Sequence, residues 1–239
     1  MQAMILAAGF GTRLKELTSN KPKALVEVNG RTLLEIAINN LTKYGFDKII
    51  INVHHFADLV KDYLDKNIFD AEIIISDESG LLLDTGGAIK QAQNYFDDSP
   101  ILIHNVDIIS NLNLKKLYDF HLSHYCVATL FVSERESSRY LLFDNANFLC
   151  GWQDIKMNKE IIVRNENELK QLAFNGIHII NPAAIKYFPE EKVFSVINAY
   201  LKIAETKNIC GFKSNNIKWI DVGKIESLQQ ASELYKYLN

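Results

Sequence analysis

Residues 4–14 read M-I-L-A-A-G-F-G-T-R-L, and the basic segment K-P-K-A-L follows at residues 21–25. The apolar residues predict a strand that ends near Gly9, where small side chains let backbone N–H groups approach an anion. Arg13 adds a forked cation and Lys23 adds a point cation. This combination predicts a binding site for a nucleotide that carries several phosphates.

The glycine loop differs from two common phosphate-binding motifs. A dinucleotide fingerprint needs a third glycine, but T-R-L follows Gly11, and the G-K-[ST] of a Walker A loop is absent. The remaining alternative is a tight turn after the first strand. Arg13 and Lys23 favour a phosphate site over a simple turn, and Pro22 stiffens the approach to Lys23.

The overall composition is that of an ordinary globular chain. It has 239 residues, of which 48% are hydrophobic, and this is enough to bury a sizeable core. The formal net charge of -3 argues against sequence-independent binding of nucleic acid. No apolar run reaches the length of a membrane span and no signal-peptide pattern is present, so we expect a cytoplasmic protein without a membrane partner.

The cysteines give no sign of a disulfide framework or a thiolate metal site. The chain has three cysteines, an odd number, and they are widely spaced at Cys126, Cys150 and Cys210. No C-x-x-C motif occurs. We therefore expect three reduced cysteines that pack as small apolar residues.

The first half of the chain alternates predicted strands and helices. The strands are short and apolar, and the helices have their apolar residues on one face. The ranges are 3–6, 48–53, 72–76 and 101–104 for strands and 32–44, 57–64 and 85–95 for helices. This alternation predicts right-handed βαβ units, and therefore an α/β fold whose mostly parallel sheet is flanked by helices.

The second half is less regular. Strands are predicted at 126–132, 139–143, 148–152, 172–180 and 217–222, and helices at 193–205 and 225–238. We expect one domain over residues 1–239, with a first half at 1–110. Residues 111–239 are expected to form a smaller lobe of strands and hairpins and a closing helix.

Two aspartates follow predicted strands. Asp107 comes after the strand at 101–104, and Asp221 lies near the end of the strand at 217–222. In an open α/β sheet the ligand crevice lies at such strand ends. Each aspartate alone is also typical of a helix N-cap or a turn. Together the two carboxylates would suffice for one Mg²⁺, which completes its shell with waters and phosphate oxygens.

Two further segments have a structural and a functional interpretation. D-T-G-G at residues 84–87 is typical of a helix cap, and its glycines also leave space for a flat base against the backbone. Asn175-Gly176 interrupts an apolar strand, which indicates either an ordinary bulge or a close approach to a ligand. The residues alone leave both alternatives open.

Taken together, these motifs resemble the sugar-1-phosphate nucleotidylyltransferase family. The shared elements are A-A-G-F-G-T-R-L, P-K-A-L-V, T-G-G, a strand-end Asp, N-G-I and D-V-G, in the order in which the family has them. The first two are highly specific for the family, and the resemblance covers nearly the whole chain. The short chain is most similar to the compact branch, which includes N-acetylmuramate-1-phosphate uridylyltransferases and mannose-1-phosphate guanylyltransferase-like enzymes.

The resemblance implies a Rossmann-like fold and the reaction of an NTP with a sugar 1-phosphate to give an NDP-sugar and pyrophosphate. Residues 1–110 would then bind the nucleotide and residues 111–239 the sugar. Backbone contacts to base and phosphates are implied for Ala7, Ala8, Gly9, Gly11 and Thr12. Phosphate contacts are implied for Arg13 and Lys23, and a place beside the base for Gly87 and, more weakly, for Glu78. Mg²⁺ ligation is implied for Asp107 and Asp221. A sugar-facing position is implied for Asn175 and Gly176.

Other functions also fit these residues. A cytidylyltransferase acting on phosphocholine or another non-sugar phosphate would use the same fold and phosphate site. A non-catalytic nucleotide sensor would keep the fold, although the retained cations and aspartates argue against it. Val106 stands where the family often has Gly before Asp107, so the base and the sugar are left undetermined.

Overall fold

A mixed β-sheet organises the chain in this computed structural model, which describes residues 1–238 except for the side chains at positions 15 and 16. The strands are β1 Gln2–Leu6, β2 Glu27–Val28, β3 Arg31–Thr32, β4 Lys48–Val53, β5 Glu72–Asp77, β6 Ile101–Asn105, β7 Ile108–Ser110, β8 Ala128–Ser133, β9 Arg139–Phe143, β10 Leu149–Asp154, β11 Lys159–Ile162, β12 Lys170–Ile180, β13 Ile209–Phe212 and β14 Trp219–Asp221. Two pairs, β2–β3 and β7–β14, form separate two-stranded sheets, and the other ten strands form the mixed sheet.

Helices pack against this sheet. They are α1 Leu33–Lys43, α2 Ala57–Lys66, α3 Asp84–Gln91, α4 Leu114–Ser123, α5 Val196–Ala204 and α6 Glu226–Leu238, with short 3₁₀ helices at Thr12–Thr18, Lys23–Leu25, Ala92–Tyr95 and Pro182–Tyr187. No helix in the described part of the chain has the length and apolar composition needed to cross a bilayer.

The strands of the first half are parallel, and β1 lies between β4 and β6. Leu6, at the end of β1, is opposite Asn52 of β4 on one side and Asn105 of β6 on the other. Because parallel strands end at the same edge of a sheet, the loops that follow β1, β4 and β6 meet there. This register confirms the predicted α/β class and places the glycine loop beside Asp107.

The core has two parts, one on each face of the sheet. Alternate residues of β1 point in opposite directions, so Ile5 packs with α1 and Met4 packs on the face that α5 covers. The strands β1, β4 and β6 are buried on both faces, which explains their nearly continuous apolar sequence. Thr32 starts α1, since its side chain accepts a hydrogen bond from the Glu35 N–H at 3.1 Å.

The second half extends the sheet with antiparallel strands. β12 pairs with β6, β8 and β9, and the β9–β10 hairpin and β11 continue the sheet from there. The register between β12 and β8 shifts between Phe174 and His178, so the predicted bulge at Asn175-Gly176 is confirmed. The two halves share one sheet through β6 and β12, and a division of the chain at residue 110 stays a prediction.

The structure corrects the expectation of three reduced cysteines. Cys126 and Cys210 form a disulfide with their Cα atoms 5.9 Å apart, and Cys150 is free and buried. The reason is the parallel pairing of β13 with β8, which sets Cys210 opposite Thr129 and so close to Cys126. A pairing between strands so distant along the chain leaves no signal in the cysteine spacing.

Helix α5 begins later than its apolar pattern predicts. The pattern starts at residue 193, but the helix starts at Val196 after the N-cap Ser195, whose side chain accepts a hydrogen bond from the Ile197 N–H. The preceding residues are kept out of the helix by hydrogen bonds to the start of α3 and the residue before it. The Phe194 N–H donates to the Leu83 carbonyl at 3.3 Å, and the Phe194 carbonyl accepts from the Gly86 N–H at 2.9 Å.

Two buried histidines predict a loss of stability in mild acid. Burial lowers the pKa of His104 to about 4 and that of His178 to about 3, both from 6.5. Protonation therefore favours the unfolded chain, and the free energy of unfolding should fall as the pH drops from about 6.5 towards 4. Each histidine contributes a slope of up to about 1.4 kcal/mol per pH unit. Urea denaturation at several pH values between 7.5 and 4.5 measures this slope.

The variant His178→Met should reduce the slope, because the buried titrating group is lost while the volume is nearly kept. The matched control is His124→Gln, which removes a histidine at an exposed position and leaves both buried histidines in place. An equal slope in wild type and His178→Met would contradict this account of the acid sensitivity.

Candidate active site

The glycine loop leaves β1 at the sheet edge and turns back towards Lys23. The Ala7 N–H donates to Asn52 Oδ1 at 2.7 Å, which fixes the start of the loop on β4. Gly11 has a φ of +64°, and a Cβ there would lie 2.9 Å from Thr18 Cγ2 and 3.0 Å from Lys23 Cβ. Only glycine fits this position without strain. The loop is therefore packed closely against the residue that was predicted to contact phosphate.

Lys23 and Asp107 form a partly buried ion pair in the described structure. The Lys23 side chain is 9% exposed and that of Asp107 17%, and Lys23 Nζ donates to Asp107 Oδ2. The Asp107 carbonyl accepts from the Val222 N–H at 2.9 Å, and the β7–β14 ladder sets Asp221 opposite Ile108. Backbone pairing thus brings the two strand-end aspartates together.

Asp221 lies beside Asp107 in a partly buried position. Its Oδ1 atom is buried and makes no hydrogen bond to the described residues. Burial is the main cause that raises the pKa of Asp221, followed by the charge of Asp107, whereas Lys23 and Arg13 act in the opposite direction. A Cβ at Gly223 would lie 2.5 Å from Asp221 Oδ1 and 2.7 Å from Arg13 Nη2, so the guanidinium is close to this carboxylate. Two cations and two carboxylates therefore converge.

The donor set fits a hard divalent cation that brings other ligands with it. Two adjacent carboxylates, one with a buried oxygen that lacks a partner among the described residues, match the oxygen ligands of Mg²⁺. Within the described part of the chain no group of three or more His, Cys, Asp or Glu side chains could hold a metal ion. A magnesium ion here would complete its coordination with water and phosphate oxygens.

The carboxylate pair lies between two cavities. The first has a volume of about 380 Å³, and its lining includes Ala8, Gly9, Lys23, Glu78, Asn105 and Asp107. The second has a volume of about 540 Å³, and its lining includes Arg139, Tyr140, Trp152, Phe174, Asn198 and Asp221. One aspartate thus lines each cavity, and Lys23 lines the first cavity together with Asp107.

Asn52 is a site residue that the sequence did not reveal. Its Oδ1 accepts from the Ala7 N–H, and its Nδ2 donates to Glu78 Oε1 at 2.7 Å. Glu78 is 3% exposed, and burial raises the pKa of its carboxyl group. Asn52 therefore joins the glycine loop to the carboxyl group of Glu78, and both side chains line the first cavity. A polar residue in the apolar strand at 48–53 was the available signal.

Gly87 packs against protein backbone rather than lining the first cavity. A Cβ at Gly87 would lie 2.2 Å from the Lys192 carbonyl oxygen and 2.9 Å from Leu83 Cβ. Gly87 lines a separate cavity of about 560 Å³, whereas Thr85 lines the first one. The role of Gly87 beside the base stays a prediction.

Asn175 and Gly176 lie in the bulge of β12. Asn175 is 1% exposed, and its Oδ1 accepts from Arg135 Nε at 3.0 Å. Gly176 has a φ of +75°, and a Cβ there would approach Ile108 to 2.9 Å and Asn105 to 3.0 Å. The Asn175 amide is thus engaged within the protein, and a sugar-facing role for these two residues stays a prediction.

Comparison with known proteins identifies the class. A family model described as Nucleotidyl transferase matches residues 2–142. An N-acetylmuramate alpha-1-phosphate uridylyltransferase of Caulobacter vibrioides is 31% identical over 229 residues, which make up 92% of this chain and 91% of that protein. The chain therefore belongs to the nucleotidyl transferase family. This membership confirms the resemblance seen in the sequence and the predicted enzyme class, a nucleotidyltransferase.

Other relatives share the fold and carry different substrate names. A mannose-1-phosphate guanyltransferase of Saccharomyces cerevisiae is 27% identical, and the match covers 98% of this chain but 64% of the yeast protein. The solved structure of HddC from Yersinia pseudotuberculosis complexed with GMP-PN has a TM-score of 0.78 at 25% identity, covering 98% and 99% of the two chains. A putative glucose-1-phosphate thymidylyltransferase from Bacillus anthracis superposes with a TM-score of 0.81 at 17% identity, covering 100% of this chain and 96% of that chain, which shows the shared fold.

The packing of Gly87 gives a prediction about stability. Gly87→Ala should lower the free energy of unfolding by about 1–3 kcal/mol, because the added methyl group overlaps the Lys192 carbonyl. Urea denaturation measures the change. Gly80→Ala is the matched control, since a Cβ at Gly80 meets nothing within 4 Å. Equal stability of the two variants would contradict the predicted overlap.

Proposed function

We propose that this chain transfers a nucleotidyl group from an NTP to a sugar 1-phosphate, with Mg²⁺ as cofactor and in the cytoplasm. The convergence of Lys23 and Arg13 with Asp107 and Asp221 between two cavities carries this proposal. The names of the relatives support it, because they describe uridylyl and guanylyl transfer to sugar 1-phosphates.

Charge neutralisation is the main chemical requirement of this reaction. A phosphate monoester has a second pKa of about 6, so it is already a nucleophile at neutral pH and needs no general base. Its oxygen forms a bond to the α-phosphorus while the bond from that phosphorus to pyrophosphate breaks. Two anions must meet for this step, and Arg13 and Lys23 would lower their repulsion and stabilise the leaving pyrophosphate. Mg²⁺ on Asp107 and Asp221 would supply further charge stabilisation.

The two cavities suit the two substrates. The first cavity lies at the glycine loop, where small residues expose backbone N–H groups to phosphates. The second combines the rings of Tyr140 and Trp152 with the polar side chains of Ser195 and Asn198. Aromatic faces with nearby hydrogen-bonding groups suit an amphipathic ligand such as a sugar. We assign the NTP to the first cavity and the sugar 1-phosphate to the second.

Substitution of the converging charges tests the proposal. Lys23→Ala and Asp107→Asn should each lower kcat by roughly 100-fold or more, the scale seen when one preorganised electrostatic contact is removed. Pyrophosphate release measures the rate. The matched controls are Lys115→Ala and Asp119→Asn, which change the same charges in an exposed ion pair of α4 and should keep the wild-type kcat. An Asp107→Asn enzyme with wild-type kcat would refute the metal assignment.

A substrate panel separates this function from its alternatives. Pyrophosphate release should be measured for the four NTPs with N-acetylmuramate, glucose and mannose 1-phosphates and with phosphocholine, with and without Mg²⁺. We expect release that requires both Mg²⁺ and one of the sugar phosphates. Release only with CTP and phosphocholine would identify a non-sugar cytidylyltransferase. Nucleotide binding without release in any combination would favour a sensor.

A further inference from the structure

Arg135 is a half-buried cation to which the proposed mechanism gives no role. Its Nε donates to Asn175 Oδ1 at 3.0 Å, its Nη2 to the Phe174 carbonyl at 2.9 Å and its Nη1 to the Glu136 carbonyl at 3.3 Å. Burial lowers the pKa of Arg135, and the negative charge of Asp221 opposes this shift. The guanidinium is therefore held in one orientation, close to the carboxylate pair.

Trp219 connects Arg135 to the strand that carries Asp221. The guanidinium carbon lies 4.3 Å from the centroid of the Trp219 ring, which places the cation over the aromatic face. The indole Nε1 donates to the Asn175 carbonyl at 2.8 Å. Because Trp219 and Asp221 are two residues apart in β14, their side chains point to the same face of the strand. The position of the indole ring thus constrains the position of the carboxylate.

Asn175 completes a closed set of contacts. Its side chain accepts from Arg135 and its carbonyl accepts from Trp219, while Arg135 and Trp219 stack on each other. These three residues come from the loop after β8, from the bulge of β12 and from β14. We call them the Arg135 cluster. Such a cluster joins three separate segments directly beside Asp221.

We propose that Arg135 is a positioning residue for the divalent cation, because it fixes Asp221 through Trp219 and Asn175. This inference rests on the proposed function, in which Asp221 and Asp107 hold Mg²⁺. Arg135 is not part of the lining of either cavity, so it acts through other residues rather than on a substrate.

The charge of Arg135 by itself predicts the opposite effect on metal binding. A positive charge near Asp221 repels a second cation, so its removal would strengthen binding of a divalent ion. Loss of orientation predicts weaker binding, because removal of groups that orient metal ligands typically costs about 10–100-fold in affinity. The sign of the change therefore separates positioning from simple electrostatics.

Mn²⁺ binding tests the inference. It is measured on the full chain without nucleotide, and electron paramagnetic resonance reports the concentration of free Mn²⁺. Arg135→Met should raise the Kd for Mn²⁺ about tenfold or more. Arg135→Lys should raise the Kd for Mn²⁺ similarly, since lysine keeps the positive charge but cannot form the several hydrogen bonds that the planar guanidinium makes. Trp219→Phe keeps a ring but loses the bond to Asn175, and we expect a rise of several fold.

Arg164→Met is the matched control. The Arg164 guanidinium also donates several hydrogen bonds to neighbouring segments, namely to the Ala204 and Lys207 carbonyls and to Asn208 Oδ1. These contacts lie at the C-terminal end of α5, whereas Asn198, which lines the second cavity, lies near its start. Arg164→Met should leave the Kd for Mn²⁺ unchanged, whatever its effect on Tm. If Arg135→Met lowers Tm as Arg164→Met does and leaves metal binding unchanged, the role of Arg135 is merely structural and the inference is wrong.

Three further outcomes are decisive. Tighter Mn²⁺ binding in Arg135→Met overturns the inference in favour of simple electrostatics. A higher KM for the sugar phosphate with an unchanged Kd for Mn²⁺ overturns it in favour of direct substrate contact. If Mn²⁺ binds to wild type and weakly to Arg135→Met while no substrate pair releases pyrophosphate, the inference stands and only the proposed function fails.

Discussion

The pairing of β7 with β14 holds Asp107 and Asp221 side by side in a partly buried place. Two like charges in this position repel each other, and burial adds a cost to each ionised form. Lys23 and Arg13 offset part of this cost, and a divalent cation would offset more. The glycine loop, the basic segment and the last strand therefore have to meet at one point. The fold thus keeps the carboxylates of Asp107 and Asp221 close together despite their mutual repulsion, and a bound cation would reduce that repulsion.

The first and second halves of the chain contribute to this point in different ways. The parallel strands β1 and β6 bring the glycine loop and Asp107 to one edge of the sheet by their register alone. Asp221 lies near the C-terminal end of the sequence. Its strand β14 pairs with β7, and Trp219 of the same strand belongs to the Arg135 cluster. The position of the glycine loop is thus set by regular secondary structure, whereas the position of Asp221 also depends on side-chain contacts between separate segments.

Local pattern predicted the regular elements well and the second half less well. The strand at 48–53 was predicted with the bounds it has, because a short run rich in β-branched apolar residues fits a strand buried on both faces. The helix at 114–123 and the short strands β7 and β13 were missed. β13 forms by pairing with the distant β8, and β7 by pairing with β14, so their existence depends on partners that local pattern does not contain.

The sequence by itself determined the class of this protein. The order of small residues after β1, followed by Arg13 and Lys23, specifies a turn and two cations between residues 7 and 23, and local chemistry is enough for that. Only the tertiary structure decided that Asp221 adjoins Asp107, that Cys126 bonds Cys210 and that Arg135 stacks on Trp219. Each of these contacts joins residues far apart along the chain. These residues are close in space because of strand pairing and packing over the whole sheet. A short stretch of sequence does not contain that information.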